Sequence, residues 1–343
     1  MLPLFILYFK FMKRNFFERY PKLTLFGVSA LLISVSLFFA NMAGEKFFGL
    51  GKIVVYQSHP VYGYRPIPNQ IVARNPQQII KINNLGLRAE EDWVEGDFHR
   101  NILFLGDSVT YGGSYISNEE LFSYQAVKDF TGYTAGNAGV NAWGINNVHA
   151  LVKEMEFLPA QIYVSVFPEG DFYRGLTRIG GQPFWTRKPN YALEELLQYI
   201  VYQIHLQKTP AVNYAALEGK EKTKIIESAV SHLKRLDIYL NQNERNHLIY
   251  ITPSRSQLLG LSDIDEAIRE TLEKYHVKVV YLRDHLADLP EDKIKALYHD
   301  EIHLTAAGHK MWAEVIKKDL QEIILQNETK SILVQKAHEN KNT

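Results

Sequence analysis

The 343-residue chain is predicted to be an α/β protein. We expect a three-layer α/β/α sandwich around a mostly parallel central sheet, preceded by one N-terminal transmembrane helix. Short apolar runs alternate with longer helical patterns from residue 101 onward, which is typical of this class. These runs are apolar along their whole length, as strands covered on both faces of a parallel sheet are. An uncharged apolar stretch precedes them all.

That stretch, residues 23–43, is predicted to be a membrane anchor. About 20 apolar residues are enough to cross a bilayer as a helix. A basic segment, residues 1–22, comes before it, and positive charge tends to stay on the cytoplasmic side. We therefore expect a single-pass membrane protein whose remaining chain is extracytoplasmic, in the periplasm or outside the cell. A cleaved signal peptide and a buried core helix are the alternatives.

Residues 44–98 are predicted to form an N-terminal extension with short β elements. The segment is rich in Pro, Asn, Gly and Tyr. Apolar and polar side chains alternate enough over residues 71–74 and 78–82 to indicate a short antiparallel pair of strands, with Asn75 and Pro76 in the turn.

Residues 99–326 are predicted to form one catalytic domain, followed by a flexible tail over 327–343. Strands are expected over 101–105, 161–167, 247–252 and 277–282, with a weaker one near 132–136. Helices are expected over about 119–130, 145–157, 222–242 and 263–275, with an amphipathic helix over 305–325. Functional groups in such sheets gather beyond the carboxyl ends of the strands.

An insertion over residues 172–221 interrupts this alternation. It is far longer than an ordinary connection between a strand and a helix. Aromatic and basic side chains come first, and an apolar helix follows over residues 193–206. Such groups suit stacking on sugar rings and pairing with acidic sugars. An ordinary subdomain core, or a helix lying on the membrane surface, would also explain the pattern.

Composition excludes several classes of function. Lys and Arg number 38, as do Asp and Glu, so the formal net charge is zero. This balance argues against a nucleic-acid-binding protein that works by bulk electrostatics. The chain has no cysteine, which excludes disulfides, thiolate catalysis and cysteine-based zinc sites.

Two short motifs indicate chemistry. Gly106-Asp107-Ser108 places a serine on a tight turn directly after a predicted buried strand, and Asp300 and His303 lie close together near the C-terminus. A serine hydroxyl needs a base within hydrogen-bond reach, and that base needs a group that fixes its tautomer. The chain supplies all three.

A metal site is the competing interpretation of the second motif. Its ligands would be His299, Asp300, His303 and His309, with two histidines at i, i+4 spacing. This interpretation leaves the Gly-Asp-Ser turn without a role, so no metal and no cofactor are expected.

Together, the segments 105–112, 136–144 and 300–305 resemble the SGNH, or GDSL-like, hydrolase family. The resemblance covers about residues 98–322 and implies that family's flavodoxin-like fold. It implies that Ser108 is the nucleophile and that Asp300 and His303 are its partners. The segment 83–88 also looks like one often found before the Gly-Asp-Ser strand in membrane-anchored members, although a plain turn would explain it too.

The resemblance also implies an oxyanion hole, with one departure. The amides of Ser108 and Gly139 match two of the family's donors. The third donor is usually an asparagine, and Gly170 stands in its place. Either another donor, for which Asn141 is the best candidate, substitutes for it, or the hole has one donor fewer. Further residues are candidates for contact with the substrate; they are Asp107, Asp171, Tyr173, Arg174 and Trp185.

The expected function is therefore that of a membrane-anchored serine esterase. Its substrate would be an acylated carbohydrate, with the ester most simply an O-acetyl group on an envelope or exported polysaccharide. Two alternatives remain open. One is an O-acetyltransferase that uses the same triad, and the other is a catalytically weak polysaccharide-binding scaffold. The membrane is contacted through residues 23–43, and no nucleic acid is expected as a partner.

Overall fold

The structure is a computed structural model that describes residues 16–75, 78–94, 100–154, 160–179, 185–208, 219–286 and 288–339. It begins with a short helix, α1 (Phe16–Arg19), and a long one, α2 (Pro21–Phe48). The apolar side chains of α2 are largely exposed. Of the described helices, α2 alone is long and apolar enough to cross a membrane, a test that signal sequences also pass.

The end of α2 is fixed against the rest of the chain by Gly49. This residue adopts the left-handed conformation with φ of 63°, and its N–H donates to the Glu45 carbonyl. The Leu50 N–H donates to the Gly44 carbonyl, which completes the usual glycine-terminated helix end. A Cβ atom on Gly49 would lie 2.2 Å from the Arg74 carbonyl oxygen, so only glycine fits here.

The N-terminal extension contains two antiparallel pairs. The predicted pair is present as β3 (Gln70–Asn75) and β4 (Gln78–Ile82). Its predicted turn residue Pro76 lies outside the described residues. Another pair precedes it, formed by β1 (Tyr56–His59) and β2 (Gly63–Pro66). These two strands are too short and too polar to show an alternating pattern.

The predicted parallel sheet is confirmed. Its five strands are β5 (Asn101–Gly106), β6 (Thr134–Asn137), β7 (Ile162–Pro168), β8 (Asn246–Thr252) and β9 (Val280–Tyr281). They lie in the order β6-β5-β7-β8-β9, and every pairing is parallel. Counted within the sheet this is 2-1-3-4-5, the flavodoxin-like order, whose switch point lies between the first and third strands. Here that point lies between β5 and β7.

Helices cover both faces of the sheet, which gives the three predicted layers. Alternate residues of β5 separate: Leu103 and Leu105 join one apolar cluster, while Ile102 and Phe104 join the other. The helices that follow α2 are α3 (Ser108–Tyr111), α4 (Phe122–Gln125), α5 (Ile145–Glu154), α6 (Ala192–Lys208), α7 (Gly219–Gln242), α8 (Arg255–Leu258), α9 (Glu266–Lys274), α10 (Glu291–Leu297) and α11 (Ala306–Glu339). Side chains of α5, α7 and α9 belong to the first cluster, and those of α4, α10 and α11 to the second.

Two helices differ from their predicted bounds by more than three residues. The single helix expected over 119–130 is divided, because Leu121 is extended between a 3₁₀ turn (Asn118–Glu120) and α4. The last helix runs to Glu339 rather than ending at 325. The added residues include no Gly or Pro and several good helix formers, so nothing in them stops a helix.

Some predicted segments lie partly outside the described residues. These are 1–15 of the basic segment, 95–98 of the extension, 99 at the start of the catalytic domain, 155–157 of the helix expected over 145–157, 180–184 and 209–218 of the insertion, and 340–343 of the tail.

Candidate active site

Ser108 lies at the switch point of the sheet, directly after β5. A Cβ atom on Gly106 would lie 2.1 Å from Thr110 Oγ1 and 2.4 Å from the Val166 carbonyl oxygen, so only glycine allows the turn. The Asp107 side chain then caps α3 by accepting from the Val109 N–H at 2.8 Å. The turn therefore holds the serine at the N-terminus of a short helix, beyond the carboxyl end of a buried strand.

The structure brings together the three residues predicted to form a triad. His303 Nε2 lies 2.9 Å from Ser108 Oγ, and His303 Nδ1 lies 2.7 Å from Asp300 Oδ2. A carboxylate beside Nδ1 favours the tautomer that carries its proton there. Nε2 is then the acceptor, and it faces the serine hydroxyl.

The Asp300 carboxyl is held in its charged form. Partial burial on its own would raise its pKa. Hydrogen bonds outweigh this: the N–H groups of His303 and Ile302 donate to Oδ1 at 2.8 and 2.9 Å, and the His303 ring lies at Oδ2. The net result is a pKa below the ordinary value for aspartate. A negative charge therefore stays beside the imidazole at neutral pH.

A buried ionic cluster lies next to the serine. Arg174 Nη1 is 3.0 Å from Asp107 Oδ2 and 2.7 Å from Asp171 Oδ1, and both carboxylate side chains are fully buried. Burial raises the pKa of Asp171 well above its ordinary value, and the neighbouring Asp107 charge adds to the effect, while Arg174 opposes it. One guanidinium with two carboxyl groups is electrically neutral when one of them keeps its proton. The raised pKa of Asp171 favours the protonated form of that carboxyl group.

This cluster reaches the nucleophile through one oxygen atom. Asp107 Oδ2, which contacts Arg174, also lies 3.4 Å from Ser108 Oγ. A Cβ atom built on Gly170 would lie 3.9 Å from Arg174 Nη2. The guanidinium thus lies beside the position where the family's asparagine would stand. The proximity of Arg174 to Gly170 could have been predicted from the sequence, since the two residues are four positions apart, about one helical turn.

The other two expected oxyanion donors, Gly139 and Asn141, lie in the loop that follows β6. The Gly139 N–H donates to Asn137 Oδ1 at 2.8 Å. The Asn141 carbonyl accepts from the Tyr64 hydroxyl at 2.7 Å. The Asn141 Oδ1 atom is buried, and no group in the described part of the chain hydrogen-bonds to it. Ala142 follows in the left-handed conformation with φ of 60°, a strained arrangement for a residue with a side chain.

A cavity of about 230 Å³ opens between the N-terminal extension, α6 and the loop after α3. Its aromatic lining includes Tyr56, Tyr111 and Trp185, and its polar lining includes Ser114 and Asn141. Trp185 was expected to contact the substrate, and the structure places it here. The contribution of the extension to this cavity was not expected.

Tyr173, another predicted substrate contact, is part of the scaffold. Its side chain is buried and its hydroxyl donates to Asp265 Oδ2. Asp265 is the N-cap of α9 and also pairs with Lys222 at 2.8 Å. The ring is thus held by α7 and α9.

Arg88 holds the loop that follows the serine helix. Its buried guanidinium donates to the carbonyl oxygens of Tyr111 and Gly113, both at 2.7 Å, to that of Ile116, and to Asn118 Oδ1 at 2.9 Å. Arg88, the last residue of the segment 83–88, therefore fixes the backbone of the loop after α3.

The histidines of the alternative metal site are engaged elsewhere. The His299 ring stacks on Tyr115. His309 is buried, and its Nδ1 accepts from the Phe122 N–H at 3.2 Å. Burial lowers the pKa of His309 to about 3, with further lowering by the charges of Arg88 and His303. Within the described ranges, no group of three or more His, Asp or Glu side chains is arranged to hold a metal ion.

Comparisons with known proteins gave structural similarity alone. No protein-family model matches the chain, and no curated protein matches it. A solved G-D-S-L family protein from Desulfitobacterium hafniense DCB-2, described as a putative lipolytic protein, is 11% identical, with a TM-score of 0.39; the match covers 64% of this chain and 98% of that one. An acetyl xylan esterase is 12% identical, with a TM-score of 0.40 and coverage of 62% and 96%. A two-domain esterase active on acetylated mannans is 14% identical, with a TM-score of 0.39 and coverage of 66% and 50%.

Proposed function

We propose that the chain is a membrane-anchored serine esterase of the SGNH type, which removes acyl groups from a carbohydrate outside the cytoplasm. The observation that carries the proposal is the hydrogen-bonded series Ser108–His303–Asp300, with separations of 2.9 and 2.7 Å. Such a series turns a serine hydroxyl into a nucleophile at neutral pH.

The reaction proceeds in two halves. Ser108 Oγ attacks the ester carbonyl carbon while its proton passes to His303 Nε2. The carbonyl π electrons move to oxygen and give a tetrahedral oxyanion. When this collapses, the bond to the sugar oxygen breaks and that oxygen takes the proton from His303. Water then attacks the acyl-Ser108 ester by the same route, releases the carboxylic acid and restores the serine. Asp300 stabilises the imidazolium in both halves.

Three groups stabilise the oxyanion in this proposal. They are the Ser108 amide at the N-terminus of α3, the Asn141 side chain and the Arg174 guanidinium. Arg174 takes over the position of the family's asparagine beside Gly170. The Asp107 and Asp171 contacts fix its orientation, so it needs no reorganisation when charge develops. The Gly139 N–H, by contrast, serves Asn137 and shapes the loop.

Replacing Arg174 with alanine is expected to lower kcat by about 10²–10³-fold with a smaller change in KM, because a preorganised donor acts chiefly on developing charge. Guanidinium ion added to the assay should restore part of the activity. Arg174→Lys is the matched variant, since it keeps the charge but loses the planar fork. Denaturant unfolding separates this effect from lost stability. If Asn141→Ala lowers kcat and Arg174→Ala does not, the asparagine fills the role alone.

An O-acetylated polysaccharide is the proposed substrate class. The cavity that Asn141 helps to line offers aromatic rings for stacking on sugars, and hydroxyl and amide groups for hydrogen bonds. Its volume of about 230 Å³ suits a small portion of a polymer rather than a whole one. The anchor by α2 would keep this cavity outside the cytoplasm if the basic N-terminal segment stays inside.

Acyl transfer to a sugar hydroxyl is the second candidate. One observation favours it: the cavity is lined by Ser114, in the loop that follows the serine helix, and could hold an acceptor. The partial exposure of His303 and Asp300 favours water as the acceptor instead. The two reactions share the acyl-enzyme and differ in what attacks it.

The test of the proposed function uses the full chain in detergent with 4-nitrophenyl acetate and then with acetylated xylan. We expect release of acetate from both, and an acetyl group on the Ser108 peptide by mass spectrometry after rapid acid quenching. Deacetylated xylan oligomers added as acceptors distinguish the candidates, because acetylated products would indicate transfer. Intact substrates and an unmodified Ser108 peptide would contradict both reactions.

A further inference from the structure

We propose that α6 lies in the surface of the membrane beside the emerging end of α2, with one apolar face inserted among the lipids. The proposal rests on the proposed anchoring by α2. It adds a second, laterally placed contact between the protein and the bilayer.

The carrying observation is an uncovered apolar stripe on α6. Its side chains follow the spacing of one helix face and are between 41% and 59% exposed; they are Leu196, Leu197, Ile200, Val201 and Ile204. A polar face adjoins the stripe next to Val201; it carries Gln198 and His205, which are exposed as well. Contiguous apolar surface of this kind marks a site of interaction rather than ordinary solvent-exposed structure.

The stripe continues the surface that α2 presents to lipid. The Leu193 N–H in the first turn of α6 donates to Asn41 Oδ1 of α2 at 3.1 Å. Asn41 lies near the end of the apolar run 23–43, where a spanning helix would leave the hydrocarbon. The start of α6 is therefore at the depth of the membrane surface when α2 spans the bilayer.

Polar contacts fix this placement. The Glu195 carboxylate accepts from the Gly51 N–H at 2.6 Å and pairs with Arg74 at 2.9 Å. A Cβ atom on Gly51 would lie 3.3 Å from Ala192 Cα, so the chain leaving α2 is packed directly on α6. The two helices are thus joined as one unit, and one cannot meet the bilayer without bringing the other close to it.

The composition of α6 indicates which part of the bilayer it binds, the charged headgroups or the acyl chains. The helix carries no Lys or Arg before its last residue, Lys208. Attraction to anionic headgroups therefore contributes little, and burial of apolar area among acyl chains supplies the binding. The 17-residue helix is about 25 Å long and would insert by about 5–10 Å along this length. Contact should persist in a purely zwitterionic bilayer and in high salt.

The experiment uses nitroxide labels on the full chain in phosphatidylcholine nanodiscs. Since the natural chain has no cysteine, each label needs one substitution. Ile200→Cys and Val201→Cys report on the stripe, and Gln198→Cys and His205→Cys are matched controls on the polar face. Phe38→Cys on α2 is the lipid reference. Collisions with oxygen, which concentrates in lipid, are compared with collisions with a water-soluble nickel chelate.

We expect the stripe labels to resemble the Phe38 label, with an oxygen-to-nickel collision ratio at least several-fold above that of the polar-face labels. Equal ratios on both faces of α6, with a lipid-like Phe38 label, would overturn the proposal and leave the anchor intact. Stripe labels reached by neither reagent would also overturn it, since a protein surface would then cover them. A water-exposed Phe38 label would overturn the anchor and this proposal together. Ester hydrolysis by the same variants shows separately whether the catalytic proposal stands.

Discussion

Ser108→Ala is expected to lower ester hydrolysis by about 10⁴-fold or more, because the variant cannot form the acyl-enzyme. The remaining rate would come from oxyanion stabilisation and substrate positioning alone. The fold should survive, since the hydroxyl contacts His303 and Asp107 at the edge of the sheet rather than the apolar core. The measurement is acetate release by the full chain in detergent, together with denaturant unfolding of both proteins.

Ser231→Ala is the matched control for this change. Ser231 is on α7, a helix that supplies none of the triad residues, and its replacement by a good helix former should leave both activity and stability nearly unchanged. A Ser108→Ala protein that is folded and as active as the natural chain would refute the assignment of the nucleophile. Loss of activity in both variants would point to a fault of preparation.

Asp300→Asn is expected to lower kcat by about 10⁴-fold, with the fold retained. An amide beside His303 Nδ1 can donate a hydrogen bond, which favours the tautomer with the proton on Nε2. That nitrogen would then donate to Ser108 instead of accepting its proton. The His303 and Ile302 N–H groups can still bond to the asparagine side-chain oxygen, so the loop should keep its conformation. The measurement is a pH profile of kcat for both proteins.

The lowered pKa of Asp300 sets the pH range in which the natural protein and the Asp300→Asn variant should be compared. An acid whose folded pKa lies below its unfolded value of about 3.9 stabilises the fold above that value, and the contribution is lost as pH falls through the folded pKa. Between pH 5 and 9 the natural carboxylate is therefore charged throughout. Asp292→Asn, an exposed substitution in the first turn of α10, is the control. Activity of Asp300→Asn within tenfold of the natural chain would remove the carboxylate from the mechanism.

The sequence could predict the sheet because its signal is local. The runs that became β5, β7 and β8 are continuous apolar segments of strand length, and only strands buried on both faces need that pattern. The edge strand β9 is shorter than predicted, since it pairs with β8 at only two positions. The pair β1–β2 was missed because its stability comes from packing on Trp143 and on the rest of the domain.

The same distinction applies to the candidate site. Ser108, Asp300 and His303 could be predicted because each lies in a short motif at a strand end or loop. The Gly139 hydrogen bond could not be, since it depends on how the Asn137 side chain turns back on its own loop. The position of Arg174 depends on the 3₁₀ turn Glu169–Tyr173. This turn is too short to be predicted from a periodic pattern of apolar residues.

The tight packing of the end of α2 at Gly49 limits which substrates the protein could reach. Its helix end meets the Arg74 backbone directly, so no slack tether separates the proposed anchor from the domain. A domain mounted in this way drifts sideways with its anchor but does not rise or sink. Ser108 would then stay within a narrow range of distances from the bilayer, and a tilt of α2 would change that distance. Only the segments of a long polymer that come within this distance of the membrane would be deacylated. The positions of the removed acyl groups would therefore depend on the path of the polymer past the membrane.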